Sequence, residues 1–145
     1  MNLHATCVAI EGYGVLLRGP SGSGKSDLAL RLIDQSTDAI LVADDRVDVV
    51  ARDGAVYASA PSAIAGMLEV RGVGIVRVTY KDTAKVHLLV DLMDAEQIAR
   101  LPEPAFEEIF GVRLPRLALA PFEASATAKL RQAVHALKSP EIISQ

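Results

Sequence analysis

Residues 19–26 read GPSGSGKS, and the fold is decided by what this octapeptide needs around it. Gly19, four residues (Pro20, Ser21, Gly22 and Ser23), Gly24, Lys25 and Ser26 complete the phosphate-loop pattern with no position missing. Glycines let the backbone turn tightly and aim N–H groups at phosphate oxygens, and a helix N-terminus adds partial positive charge. The motif therefore requires a strand before it and a helix after it. Both are present. Val15, Leu16 and Leu17 form a short apolar run, and SDLALRLID follows with helical spacing. Lys25 is placed to reach the terminal phosphates of a nucleotide, and Ser26 to offer its hydroxyl to a magnesium ion.

Outward from the loop, residues 3–10 (LHATCVAI) read as a strand that turns at Glu11-Gly12 and returns into the loop as a hairpin. The helix is expected over residues 26–35. Next, AILVA at 39–43 reads as a buried strand ending in Asp44-Asp45, where open α/β sheets place ligands. RVDVVARDGAVYAS reads as two strands about a tight Asp53-Gly54 turn. Residues 61–67 are expected as loop or a short helical turn. LEVRGVGIVRVTY reads as a strand with Glu69 and Arg71 on one face, interrupted at Gly72 and Gly74. KVHLLVDL is a further strand with apolar positions at 86, 88, 90 and 92. Asp94 is placed to cap a short helix through Arg100, and AFEEIFG is expected as a second helical piece ending at Gly111. VRLPRLALAP is extended. The last helix spans about residues 123–138, followed by a loose tail at 139–145.

With 145 residues, half of them apolar, the chain reads as one domain over residues 1–138. A net charge of −3 argues against a nucleic-acid-binding surface. No run of residues reaches membrane-spanning length. Cys7 is the only cysteine, so no internal disulfide forms, and a reducing cytoplasm is the expected compartment.

Two sets of residues stand out beside the loop. Asp44 and Asp45 are either a metal-binding and proton-accepting pair or a turn-favouring pair that ends a strand. Glu69 and Arg71 are either a surface ion pair or a carboxylate and guanidinium directed into a polar cleft. Arg100, Arg113 and Arg116 are individually uninformative, and His4 alone reads as a structural histidine.

Taken together, the histidine ahead of GVLLRGPSGSGKSDLAL, then LVADDRV, LEVRGVGI and VRLPRLAL resemble HPr kinase/phosphorylase, in the short form similar to those of alphaproteobacteria. That family phosphorylates a serine of the phosphocarrier HPr in the sugar phosphotransferase system. The resemblance implies an α/β P-loop nucleotide-binding domain related to the phosphoenolpyruvate carboxykinase core, with a mixed sheet and flanking helices. It implies ATP and Mg2+ as cofactors, HPr as partner, inorganic phosphate and pyrophosphate in the reverse reaction, and a homo-oligomer, commonly a hexamer. His4, Lys25, Asp45 and Arg100 match the family's catalytic residues, with Asp45 as base in the kinase direction and acid in reverse. Ser26 and Glu69 match its magnesium ligands. Arg71 and Gly72 lie in its signature stretch, tied to both reactions, and Arg113 and Arg116 in a segment tied to dephosphorylation. Typical members carry a separate N-terminal domain, a longer glycine-containing segment where this chain has YKDTA, and GRN where it has LPRL. The competing classes are a small-molecule P-loop kinase and a non-catalytic nucleotide-binding regulator.

Overall fold

Every residue of the strand Ala5–Ile10 is buried in the computed structural model, which describes residues 1–138. The tail expected at 139–145 lies outside the described residues. In chain order the strands are β1 (Asn2–Leu3), β2 (Ala5–Ile10), β3 (Tyr13–Arg18), β4 (Ala39–Ala43), β5 (Val47–Arg52), β6 (Ala55–Ser59), β7 (Met67–Val70), β8 (Gly74–Arg77), β9 (Ala84–Leu92), β10 (Ala105–Ile109) and β11 (Val112–Leu119). The helices are α1 (Lys25–Gln35) and α2 (Ala126–Lys138). Three hairpins, β2–β3, β5–β6 and β10–β11, close on a residue–glycine pair with both φ angles positive: Glu11-Gly12, Asp53-Gly54 and Phe110-Gly111. Glycine enters that region without steric cost, and the resulting turn matches the twist of the paired strands.

The main sheet runs β1-β5-β6-β9-β3-β2-β4, and β9 also pairs with β11, which carries β10. Strand β9 is shared: Ala84 and Lys85 pair antiparallel with β6, whereas residues 89–92 pair parallel with β11. It is also parallel to β3, and β2 runs antiparallel to both β3 and β4. Hence β3, β4, β9 and β11 all end at one edge of the sheet. The N-terminal end of β2 lies at that same edge. Ligands of open α/β sheets collect at such an edge.

The two faces of the sheet are filled differently. One packs Val8, Ile10, Val15, Leu17, Leu88 and Val90 against Leu28, Ala29 and Leu32 of α1 and Leu130 and Val134 of α2. Burial of each such leucine contributes about 2 kcal/mol. The other face uses small side chains, among them Ala5, Cys7, Ala9, Ala43 and Ala58, which let the sheet curl closely over itself. Period-two alternation decides which residue joins which face. A register shift near His87 breaks that alternation in β9, so Val86 joins Leu89 on the small-residue face while Leu88, Val90 and Leu92 face the helices. His87 stacks on Tyr13 with ring centroids 4.4 Å apart, a packing role.

The structure corrects four expectations. LEVRGVGIVRVTY is a hairpin, β7–β8, so Arg71 sits at its turn and shares no strand face with Glu69. Gly72 and Gly74, with φ of 87° and 126° and open space where a side chain would stand, serve that turn. Residues 94–100 make only a single 3-10 turn at Ala95–Gln97, whose backbone bond from Gln97 to Asp94 leaves the Asp94 carboxylate out of the cap. AFEEIFG is strand β10 and its turn, because the Phe110-Gly111 turn returns it antiparallel onto VRLPRLAL. Finally, α2 begins at Ala126, three residues later than expected.

Arg131 of α2 locks the helices onto the sheet by donating to Asp38 Oδ1 (3.0 Å), Asp38 Oδ2 (3.2 Å) and the Leu32 carbonyl (2.9 Å). These bonds hold the Asp38 carboxyl below its ordinary value of 3.8. The Arg18 bonds likewise hold Glu107 below its ordinary 4.5. Both groups therefore stabilise the fold above their unfolded values, and that stability is lost as pH falls through the lower folded values. Thermal midpoints followed from neutral pH downward should drop below about pH 4, and the drop should be shallower in the Asp38→Asn, Glu107→Gln double variant. Burial pushes the Cys7 thiol up to about 12. A thiol reagent at pH 8 should leave native protein unlabelled and react stoichiometrically after denaturation.

Candidate active site

At the sheet edge, α1 starts at Lys25 behind Gly24, whose φ of 99° is left-handed. The loop's own carbonyls hold its lysine: Lys25 Nζ donates to the oxygens of Gly19 (2.6 Å) and Pro20 (3.1 Å). Burial lowers the Lys25 ammonium from its ordinary value, an effect opposed first by Asp45 and then by Asp44. Ser23 folds back so that its N–H meets the Pro20 carbonyl at 3.0 Å, and its buried Oγ has no partner among the described residues. A Cβ at Gly19 would stand 2.5 Å from that oxygen, so a larger residue there would displace the folded-back Ser23 side chain.

Asp44, 6% exposed, is the hub of the site. Its Oδ1 accepts the hydroxyls of Ser26 (2.6 Å) and Thr6 (2.9 Å), and its Oδ2 accepts the Glu69 backbone N–H (3.2 Å). Three donors offset the cost of taking a carboxylate out of water. Thr6 Oγ1 also accepts the Asp45 N–H at 3.2 Å, so one hydroxyl bridges the two aspartates. Asp45 takes a left-handed φ of 71°, which turns its side chain away from Asp44. That carboxylate is solvent-facing, with Oδ1 2.8 Å from His4 Nε2. The two aspartates thus have separate tasks: one is buried against the loop serine and the other is presented to solvent beside a histidine.

A family model, the HPr serine kinase C-terminal domain, matches residues 1–136. The chain belongs to this family. Among curated members, HPr kinase/phosphorylase of Streptococcus thermophilus is 38% identical over 128 residues, which cover 80% of this chain and 41% of that protein. The enzyme of Lactobacillus acidophilus is 34% identical over 128 residues, covering 80% of this chain and 39% of that protein. The Clostridium botulinum protein reaches 47% over 77 residues, 53% of this chain and 25% of its own length. The chain thus spans less than half the length of these relatives. The solved structure of the HPr(Ser) kinase/phosphatase from Coxiella burnetii superposes with a TM-score of 0.84 at 28% identity, covering 97% of this chain and 99% of that one. The α/β fold expected from the sequence, a mixed sheet with flanking helices, is the fold found.

Within this HPr kinase domain the structure brings His4, Lys25, Ser26, Asp44 and Asp45 to one edge. Glu69 reaches the cluster through its backbone, while its side chain is exposed on β7. Arg71 and Gly72 form the exposed β7–β8 turn. Arg100 is exposed beyond the 3-10 turn and has no hydrogen-bond or ion-pair partner among the described residues. Arg113 stacks over Phe106 at 3.9 Å. Arg116 lies 3.4 Å from Glu107 and 3.9 Å from Asp91, sharing both carboxylates with Arg18. Its charge is therefore balanced within the sheet. Arg18 forks between Asp91 and Glu107 with bonds of 2.8–3.2 Å immediately before the phosphate loop, anchoring the end of β3.

Sequence reasoning missed Thr6, Arg18, Asp91 and Glu107. The signal for Thr6 was a lone hydroxyl inside an apolar strand, and that for Arg18 a charge directly preceding Gly19. As to a metal, no group of three or more His, Cys, Asp or Glu side chains gathers among the described residues. The Ser26 hydroxyl and Asp44 carboxylate are hard oxygen donors, and Mg2+ is commonly held by one or two carboxylates together with substrate phosphates. This donor set fits a magnesium ion that arrives with the nucleotide. Thr6→Val should take a donor from the buried Asp44 carboxylate as well as the acceptor of the Asp45 N–H, and cost roughly 1–3 kcal/mol in denaturant unfolding, whereas Thr6→Ser should stay near wild type.

Proposed function

We propose that this domain is an ATP-dependent kinase for a serine of HPr, working in reverse as a phosphorylase. The observation that carries this reading is the division of labour between the aspartates. Asp44 is tied to the loop serine on the nucleotide side, and Asp45 is held out to solvent, where a protein substrate can meet it. ATP places its phosphates in residues 19–26, and Lys25 leaves the Gly19 and Pro20 carbonyls to reach them. Ser26 and Asp44, with Glu69 alongside, would hold Mg2+, which when bound neutralises charge on the phosphates.

In the forward direction the HPr serine hydroxyl attacks the γ-phosphorus while Asp45 accepts its proton. His4, hydrogen-bonded to Asp45 Oδ1, orients that carboxylate. The bond from phosphorus to the bridging oxygen breaks and ADP leaves. In reverse, an inorganic phosphate oxygen attacks the phosphoserine phosphorus, the seryl oxygen departs with the proton from Asp45, and pyrophosphate forms. Arg100 and Arg71 are exposed and unpaired among the described residues, so each is available to a transferring phosphoryl group or an incoming acidic surface. Arg113 and Arg116 already have partners, and act in this scheme by shaping the sheet beside the loop.

We place the reaction in the cytoplasm. No helix among the described residues is long and apolar enough to cross a membrane. Assembly into a homo-oligomer, a hexamer by the family resemblance, belongs to the same reading. Exposed Val73, Ile75, Phe106 and Phe110 supply apolar surface for it.

Incubation with ATP, Mg2+ and HPr, followed by mapping of the phosphorylated residue, tests the proposal. Phosphoserine on HPr is expected; a phosphorylated small molecule, or no transfer, would overturn it. Asp45→Ala should abolish transfer, by at least about a thousandfold, while nucleotide affinity changes less than about threefold. Retained phosphorylation in that variant would remove Asp45 from the role of base.

A further inference from the structure

The phosphate loop has two flanks, and only one carries the acidic cluster. In the sheet order, β2 and β4 lie on one side of β3, and β9 and β11 on the other. His4, Asp44 and Asp45 stand on the β2–β4 side. On the β9–β11 side lies a cavity of about 650 Å³, walled by the outer half of the loop, the end of β9 with its 3-10 turn, and the link from β11 to α2. We infer that this cavity receives the nucleoside of the bound triphosphate, with Phe122 as the platform on which the base stacks.

This inference rests on the reading of residues 19–26 as a nucleoside triphosphate site, and names the part of that site which takes the base. Four observations carry it. The volume lies within the span of about 300–1,000 Å³ common to small-molecule sites. The cavity opens where three parallel strands, β3, β9 and β11, end together, the position at which such sheets bind ligands. None of the described residues lining it is Lys or Arg, so it suits the uncharged end of a nucleotide and not a second phosphate group. Finally, Phe122 is 70% exposed at the cavity, an unusual place to leave an aromatic ring, while its edge abuts the loop: a Cβ at Gly24 would lie 2.9 Å from Phe122 Cζ. The ring thus packs against the glycine that ends the phosphate loop and precedes α1.

The wall is held before any ligand arrives. Arg31 of α1 donates to the Pro121 carbonyl, the Met93 N–H meets the Leu119 carbonyl at 3.0 Å, and Glu123 pairs with Lys129 at 2.7 Å. The Asp94 carboxylate, left out of the turn it precedes, and the Gln97 amide supply polar groups for ribose hydroxyls or the base edge. With phosphates bridging the loop, the base and the transferring phosphoryl group then lie on opposite flanks, and the protein substrate approaches without meeting the nucleoside.

Isothermal titration of the full chain with Mg-ATP and with Mg-tripolyphosphate tests the inference. Tripolyphosphate carries the phosphates alone. Phe122→Ala should weaken ATP binding roughly tenfold and leave tripolyphosphate within about twofold, and Phe122→Tyr should restore ATP affinity. Lys25→Ala should weaken both ligands. ATP affinity unchanged in Phe122→Ala, or equal losses for ATP and tripolyphosphate in that variant, would overturn the assignment of the base. If the wild-type protein bound neither ligand, the triphosphate reading of the loop would fail, and the base assignment with it.

Discussion

The buried carboxylate of Asp44 is the constraint on which the site depends. It gathers a hydroxyl from α1, a hydroxyl from β2 and a backbone N–H from β7, and it sits at the end of β4. Four elements far apart in sequence are thereby fixed to one another at the mouth of the phosphate loop. A carboxylate with so little solvent access needs protein donors in place of water, so the elements must be placed to supply them. Loss of the Thr6 hydroxyl reaches Asp45 as well, because the group that serves Asp44 also receives the Asp45 N–H.

This arrangement sets two adjacent aspartates in opposite environments, one buried and one at the surface. Strand alternation starts the separation, and the left-handed backbone at Asp45 completes it by swinging the second carboxylate to the surface. Backbone strain of that kind persists only where the surroundings over-determine it. Here the Thr6 hydroxyl on one side and His4 on the other do so. On the opposite flank, Arg18 performs a comparable service by fastening the end of β3 to Asp91 and Glu107, so the loop leaves the sheet from a rigid base.

Much of this was legible in the chain. The β2–β3 hairpin, the helix after the loop, the apolar strand ending in two aspartates and the Asp53-Gly54 hairpin all followed from patterns of local origin. The errors came where a local pattern admits two outcomes. AFEEIFG has the length of a helical turn and two good helix formers, yet the Phe110-Gly111 turn pairs it with β11, and tertiary pairing overrides propensity. LEVRGVGIVRVTY is apolar enough to be one strand, and only the positive φ at Gly72 and Gly74 folds it into two. Arg113 and Arg116 were indistinguishable from free surface charges until Phe106, Asp91 and Glu107 were seen beside them.

By itself, the sequence determined that residues 19–26 carry the complete phosphate-loop pattern, that a strand and a helix flank them, and that two aspartates end a neighbouring strand. These are short-range matters, set by glycine conformation, hydrophobic period and chain direction. Only the tertiary structure decided which aspartate meets the loop serine and which meets His4, that Thr6 joins them, and that a cavity lies on the far side of the loop. Those outcomes depend on strand order and register. Register is a property of paired strands, and pairs separated by 38 to 89 residues are chosen by the packing of the whole sheet.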